Sequence, residues 1–139
     1  MTSYLEPQHA TGLAKEIYDD IEANFGMVPN IFKAMGAADP KWLAINWQRV
    51  KQIMLEDGPL DRKTRELIAM AVSMTNNCEY CSFAHEALAI NEGVTKEMLA
   101  HAKQVIELFS SFNAIAHSYP NMVCDVKPKV TTQLDVIYS

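Results

Sequence analysis

Long apolar runs, basic clusters and strand-like alternation are all scarce in this chain, and each shortage closes off a class of function. No apolar stretch approaches the roughly 20 residues that a bilayer-spanning helix needs. Twelve Lys and Arg stand against 17 Asp and Glu, a formal charge of −5, and no basic run or basic amphipathic face interrupts that balance. A nucleic acid or an anionic membrane is therefore not the expected partner. The N-terminus, Met1-Thr2-Ser3-Tyr4-Leu5-Glu6-Pro7, lacks a positive region followed by an apolar block, so no secretory signal is expected. Three cysteines, an odd number, suit a reducing compartment better than a disulfide-stapled secreted fold. The expected location is the cytoplasm. There is no internal repeat beyond a helix-turn-helix texture and no low-complexity linker. At 139 residues the chain is most simply one domain, large enough for a core without disulfides.

What is present is helical punctuation. Leu13, Ile17, Ile21 and Phe25 recur every fourth residue from Thr11 to Phe25, and Gly26 stands where a left-handed cap would end that helix. Pro29 and Asn30 start a short segment, Ile31 to Ala38. Asp39-Pro40 then offers an N-cap followed by proline at the first helical position. Leu43, Trp47, Val50 and Met54 continue that helix until Gly58-Pro59, and its two tryptophans, Trp42 and Trp47, read as core or subunit contact. Asp61 caps the next helix, whose body from Leu67 to Met74 is apolar on nearly every side and predicts burial all round. Asn76-Asn77 breaks it. The following helix is expected to run to Asn91, with Gly93 beyond its end and Thr95 capping another that carries Val105, Phe109, Phe112 and Ala116 on one face. A single long helix or two with a bend near Ala102 would both fit. After Pro120 the composition changes, and Pro128, Val130, Thr131, Thr132 and Leu134 to Tyr138 suggest an extended tail able to pack on a neighbouring subunit. Cys124 lies in it, away from any motif, and His101 and His117 are read as surface histidines.

The chemistry concentrates in Asn76-Asn77-Cys78-Glu79-Tyr80-Cys81-Ser82-Phe83-Ala84-His85-Glu86. On a helix, Cys78, Cys81 and His85 fall within roughly 60° of one another. Sulfurs at C-x-x-C spacing in a first turn can close into a disulfide and reopen. The unpartnered amides and aligned dipoles of a helix start favour a thiolate there, and a thiol near 8.5 can fall to roughly 3.5–7.5 in such settings, with Glu79 opposing the effect. His85, one turn beyond Cys81, is placed to take or return a proton. The competing readings are a metal clip, with Cys78, Cys81, His85 and a fourth ligand such as His101, and an inert pair of small buried hydrophobes. No second C-x-x-C or H-x-x-x-H follows at finger-like spacing. Glu66, just ahead of the apolar block, reads by itself as an i,i+4 partner of Arg62 on a solvated first turn.

Glu66, eleven intervening residues, Cys78, Cys81 and His85 together resemble the E-x11-C-x-x-C-x-x-x-H signature of alkylhydroperoxidase D-like proteins, in the carboxymuconolactone decarboxylase superfamily. The flanks Leu60-Asp61-x-Lys63-x-Arg65-Glu66-Leu67-Ile68, Gly93-Val94-Thr95 and Gly26-x-Val28-Pro29-Asn30 resemble those of the family too, so the likeness spans a core of about 25–117, followed by a tail of 119–139. It implies an all-α, AhpD-like fold around a helix-turn-helix core, assembled as a homotrimer or hexamer. It also implies thiol-dependent reduction of alkyl or hydrogen peroxides without a cofactor or metal, using an external dithiol whose identity the sequence does not give. By that resemblance Cys81 is the attacking thiolate, Cys78 the resolving thiol, and Glu66 and His85 the proton relay. The dipole argument alone favours Cys78 as the more acidic thiol, whereas His85 sits one turn from Cys81 and can serve it directly. Tyr80 stands where the best-known peroxidase members carry a second histidine, and a phenol titrating near 10 is no base at neutral pH. Two alternatives stay open. One is a lactone decarboxylase of the carboxymuconolactone type, whose members generally lack the cysteine pair. The other is a non-enzymatic oligomer in which the pair senses redox state or binds metal.

Overall fold

The computed structural model describes residues 3–128, and within them six α-helices follow one another with no strand. They are α1 (Gly12–Phe25), α2 (Asn30–Ala38), α3 (Pro40–Val50), α4 (Arg62–Thr75), α5 (Glu79–Asn91) and α6 (Lys96–His117). The chain is all-α, as its punctuation predicts. None of these helices is long and apolar enough to cross a membrane.

Local signals set the helix ends. Gly26 closes α1 in the left-handed region at φ 74°, a conformation that costs glycine little, and its N–H reaches Glu22 O at 2.7 Å. Asp39 caps α3 by accepting from Lys41 N at 2.9 Å, and Asp61 caps α4 by accepting from Thr64 N at 2.8 Å. Thr95 does the same for α6 through Met98 N at 3.2 Å. Helix α6 is one helix of 22 residues with no break at Ala102.

Two apolar clusters hold the helices. The first joins α1, α2 and α3 through Ala14, Tyr18, Ile21, Phe32, Leu43 and Trp47. Trp47 is its centre, with the rings of Phe25 and Phe32 set edge-on at 5.6 and 5.5 Å. Its indole N–H donates to Asp20 Oδ2 at 2.7 Å, and Lys51 Nζ donates to the same oxygen at 2.7 Å. Those bonds, from Lys51 first and Trp47 second, hold the Asp20 carboxyl below its usual range. Gly36 lets α2 approach α1, since a β-carbon there would collide with the hydroxyl of Tyr18, which itself donates to Leu5 O and Phe32 O.

The second cluster joins α4, α5 and α6 through Met70, Ala89, Val94 and Leu99. A single π-helical turn, Lys51–Leu55, extends α3, and its Leu55 packs against the first cluster. Arg65 fastens that turn to α4, donating from Nη1 to Ile53 O at 3.0 Å and Glu56 O at 2.8 Å.

Three sequence expectations about burial need correction. Helix α4 is not buried all round: Glu66, Met70 and Ser73 face inward, but Ile68 and Val72 are 48% and 55% exposed. Helix α6 meets α4 through Leu99, with Ala102 and Ile106 partly buried, whereas the anticipated face of Val105, Phe109, Phe112 and Ala116 lies in the open. On α1 the centre of the buried face is Ala14, Tyr18 and Ile21, and Leu13 is largely outside it. Periodicity identifies an apolar stripe; only the neighbouring helices decide which stripe is covered. Of the two tryptophans, Trp47 is core and Trp42 is half exposed. Residues 119–128 carry no helix beyond a turn, and the expectations for Val130, Thr131, Thr132 and Leu134 to Tyr138 lie outside the described residues.

Candidate active site

The turn between α4 and α5 is built by its asparagines. Asn77 adopts the left-handed conformation at φ 56°, one that asparagine tolerates better than most side chains, and Cys78 N then bonds back to Ser73 O at 2.9 Å. The chain reverses, and α5 returns along α4 so that residues late in α5 meet residues early in α4. Glu66 consequently faces His85, and Arg62 faces Glu92.

Cys78 is the N-cap of α5, and its Sγ accepts from Cys81 N at 3.3 Å. One of the free amides of the helix start is therefore spent on the sulfur of Cys78. Cys81 lies in the first turn, and its thiol is pushed up by the contact with Cys78 first and by burial second. For Cys81 this direction opposes the thiolate stabilisation expected of a helix start. Both thiols are free and half-buried.

Glu66 is 1% exposed. Its Oε1 accepts from Arg62 Nε at 2.9 Å and its Oε2 meets His85 Nδ1 at 2.8 Å, so the i,i+4 pair and the cross-helix contact both exist, one on each oxygen. Burial alone pushes this carboxyl up. The hydrogen bonds and charges of His85 and Arg62 outweigh it and hold the group below the usual carboxylate range. An ionised carboxylate only accepts, so Nδ1 of His85 is the protonated nitrogen. When the ring is neutral the lone pair is then on Nε2, which has no hydrogen-bond partner among the described residues.

Tyr80, half exposed, turns to α2, where its hydroxyl accepts from Ile31 N at 3.3 Å. It thereby satisfies a first-turn amide of α2. Cys124 is exposed and makes only a long contact with Val126 O. His101 makes no side-chain hydrogen bond among the described residues. Nor do the described residues hold any group of three His, Cys, Asp or Glu side chains arranged to bind a metal ion. Glu92 is a residue that sequence reasoning passed over, and Arg62 was read there only as the i,i+4 partner of Glu66 and not as part of the site. One signal was available for Arg62: a cation at the first position of a helix opposes the backbone dipole, which calls for a reason.

Residues 40–120 match the carboxymuconolactone decarboxylase family. The chain is 31% identical over 86 residues to uncharacterized protein 4 in the cox locus of Paracoccus denitrificans, a match covering 62% of this chain and 73% of that one. It is 41% identical over 46 residues to the alkyl hydroperoxide reductase AhpD of Corynebacterium kroppenstedtii, covering 33% of this chain and 26% of that protein. The crystal structure of the alkylhydroperoxidase AhpD core from Rhodospirillum rubrum superposes with a TM-score of 0.77 at 36% identity, covering 81% of this chain and 84% of that one. With the family match running over more than half of its length and the AhpD-core fold over most of it, the chain belongs to the carboxymuconolactone decarboxylase family.

Proposed function

We propose that this protein is a cysteine-dependent peroxidase that reduces alkyl or hydrogen peroxides and is recycled by an external dithiol. Family and fold support a peroxidase-like or decarboxylase-like role. The observation that favours the peroxidase is the buried Glu66 at 2.8 Å from His85, which lies one helical turn beyond a C-x-x-C pair. Decarboxylation has no evident use for two thiols. The Glu66–His85 pair is what a protonated nucleophilic thiol requires.

In this reading His85 Nε2 takes the proton of Cys81, while Glu66 steadies the imidazolium that forms. The Cys81 thiolate attacks one peroxide oxygen, the O–O bond breaks, and the departing alkoxide or hydroxide takes up the proton from His85 and leaves as alcohol or water. Cys81 is then a sulfenic acid. The Cys78 thiol condenses with it, forming the disulfide and releasing water. A dithiol returns both cysteines to thiols and leaves as its own disulfide. The protein works in the cytoplasm as a homo-oligomer, trimer or hexamer, with the open apolar faces of α4 and α6 as its subunit contacts. Between those helices runs a groove of about 400 Å³ lined by Ala71, Val72, Val105, Ile106 and Phe109.

The test is steady-state consumption of a small organic hydroperoxide by metal-free protein with excess dithiol, beside Cys81→Ser. Many turnovers that vanish with Cys81→Ser are expected, together with a Cys78–Cys81 peptide after oxidation. Consumption of one equivalent or less, or a bridge through Cys124, would overturn the reading.

A further inference from the structure

Arg62 is in an awkward place for stability. It is the first residue of α4, where a cation opposes the helix dipole, and it precedes its carboxylate partner at i,i+4, the less favourable order for such a pair. The partner, Glu66, is 1% exposed, and a buried ion pair contributes little to stability compared with apolar side chains of similar size. Neither local helix energetics nor packing accounts for the arrangement.

Its geometry does. The Nε of Arg62 takes Oε1 of Glu66 at 2.9 Å, and its Nη1 lies 4.0 Å from Oε1 of Glu92 beyond the far end of α5. The guanidinium is planar and only donates; its hydrogen bond runs from Nε to Glu66, and Glu92 is a charged neighbour at the longer distance. With Oε1 occupied, Glu66 cannot rotate about its terminal bond without losing a charge-assisted hydrogen bond. Only Oε2 faces His85, at 2.8 Å. The groups facing Glu66 are thus Arg62 from its own helix and His85 from α5, with Glu92 acting through Arg62.

We infer that Arg62 is the positioning residue of the relay: it orients Glu66 so that His85 carries its proton on Nδ1 and presents Nε2 as the base. This rests on the peroxidase reading only for its catalytic consequence, because the tautomer of His85 is observable without turnover. Arg62 touches no reacting atom and acts through Glu66.

The experiment compares the full-length reduced chain with Arg62→Met and Arg62→Lys. The imidazole nitrogen shifts of ¹⁵N-labelled His85 report its tautomer, circular dichroism reports the fold, and hydroperoxide consumption is followed across pH. In the intact chain the neutral ring is expected in the Nδ1–H form alone. Arg62→Met should give a mixture of Nδ1–H and Nε2–H forms and a tenfold to hundredfold loss of turnover, of the size that small misplacements of catalytic groups produce. The acid limb of the pH profile should move to higher pH in that variant, because Glu66 loses one of the partners that favour its ionised form. Arg62→Lys keeps the charge without the directed Nε–H and should restore part of both readouts. If Arg62→Met unfolds, Arg62→Lys still decides: a wild-type tautomer with wild-type turnover in a folded variant overturns the inference. A single Nδ1–H form in folded Arg62→Met overturns it as well, leaving the peroxidase reading intact. A tautomer mixture in Arg62→Met in a chain that never consumes peroxide upholds the positioning role and removes the peroxidase reading.

Discussion

Replacing Glu66 by glutamine changes one atom and reverses the logic of the relay. As a carboxylate Glu66 offers only acceptors, and two donors converge on it, Arg62 Nε–H at 2.9 Å and His85 Nδ1–H at 2.8 Å. A glutamine has one acceptor oxygen and one NH₂ donor. Because a guanidinium cannot accept, the amide oxygen stays with Arg62 and the amide nitrogen turns to His85. Nδ1 then has to accept, the ring proton moves to Nε2, and the nitrogen that should deprotonate Cys81 is already occupied. General bases contribute about 10²–10⁴-fold, and an Asp-to-Asn change that imposes the wrong histidine tautomer on a catalytic triad costs about 10⁴-fold. Glu66→Gln should therefore lower hydroperoxide turnover at neutral pH by about 10²–10⁴-fold. Its structural cost is the exchange of a charge-assisted hydrogen bond for a neutral one, about 1–2 kcal/mol, which a domain of ordinary stability tolerates. The assay is steady-state consumption with excess dithiol, with urea unfolding of the same sample as the control. Turnover within about threefold of the intact chain, in a folded variant, would refute the relay.

Tyr80→Phe removes only an exposed acceptor for Ile31 N, which water can replace; unfolding free energy should fall by about 0.5 kcal/mol or less and turnover stay within about twofold, both measurable on one preparation. Gly36→Ala forces a β-carbon against the Tyr18 hydroxyl and should cost about 1–3 kcal/mol in urea unfolding; an unchanged midpoint would mean that α1 and α2 are free to move apart. Glu66 and Asp20 both have depressed carboxyls in the fold, so their stabilisation is present above the unfolded carboxylate value near 4 and is lost as pH falls through the lower folded values. Acid unfolding followed by circular dichroism should accordingly begin below about pH 4, and Glu66→Gln should flatten that limb. Phe109→Asp places a charge in the open apolar groove of α4 and α6 and should lower the mass seen by analytical ultracentrifugation; an unchanged mass would show that this face is not the subunit contact.

The amino-acid sequence by itself determined where helices begin and end, because caps act within one turn of chain. Asp39, Asp61 and Thr95 bond amides two or three residues ahead, and Gly26 and Asn77 supply left-handed residues where they stand. The C-x-x-C pair and His85 were legible for the same reason, being one turn apart on one helix. What depends on residues far apart in the chain was legible only through the family resemblance, which implied Glu66 and His85 as a relay without giving their geometry. Glu66 and His85 are 19 residues apart, and only the return of α5 along α4 sets one oxygen of Glu66 on His85 while Arg62, already its sequence partner, keeps the other. The dipole argument foresaw a favoured thiolate without specifying that Cys78 would cap the helix, a contact that pushes the Cys81 thiol up. Burial was misread wherever a helix carries more than one apolar stripe. Ile68 and Val72 on α4, and Val105, Phe109 and Phe112 on α6, lie on apolar faces left open, and hydrophobic periodicity records the stripe but not the surface that covers it. Covering is a property of pairs of helices, and the packing of α4 against α5 and α6 alone decided it.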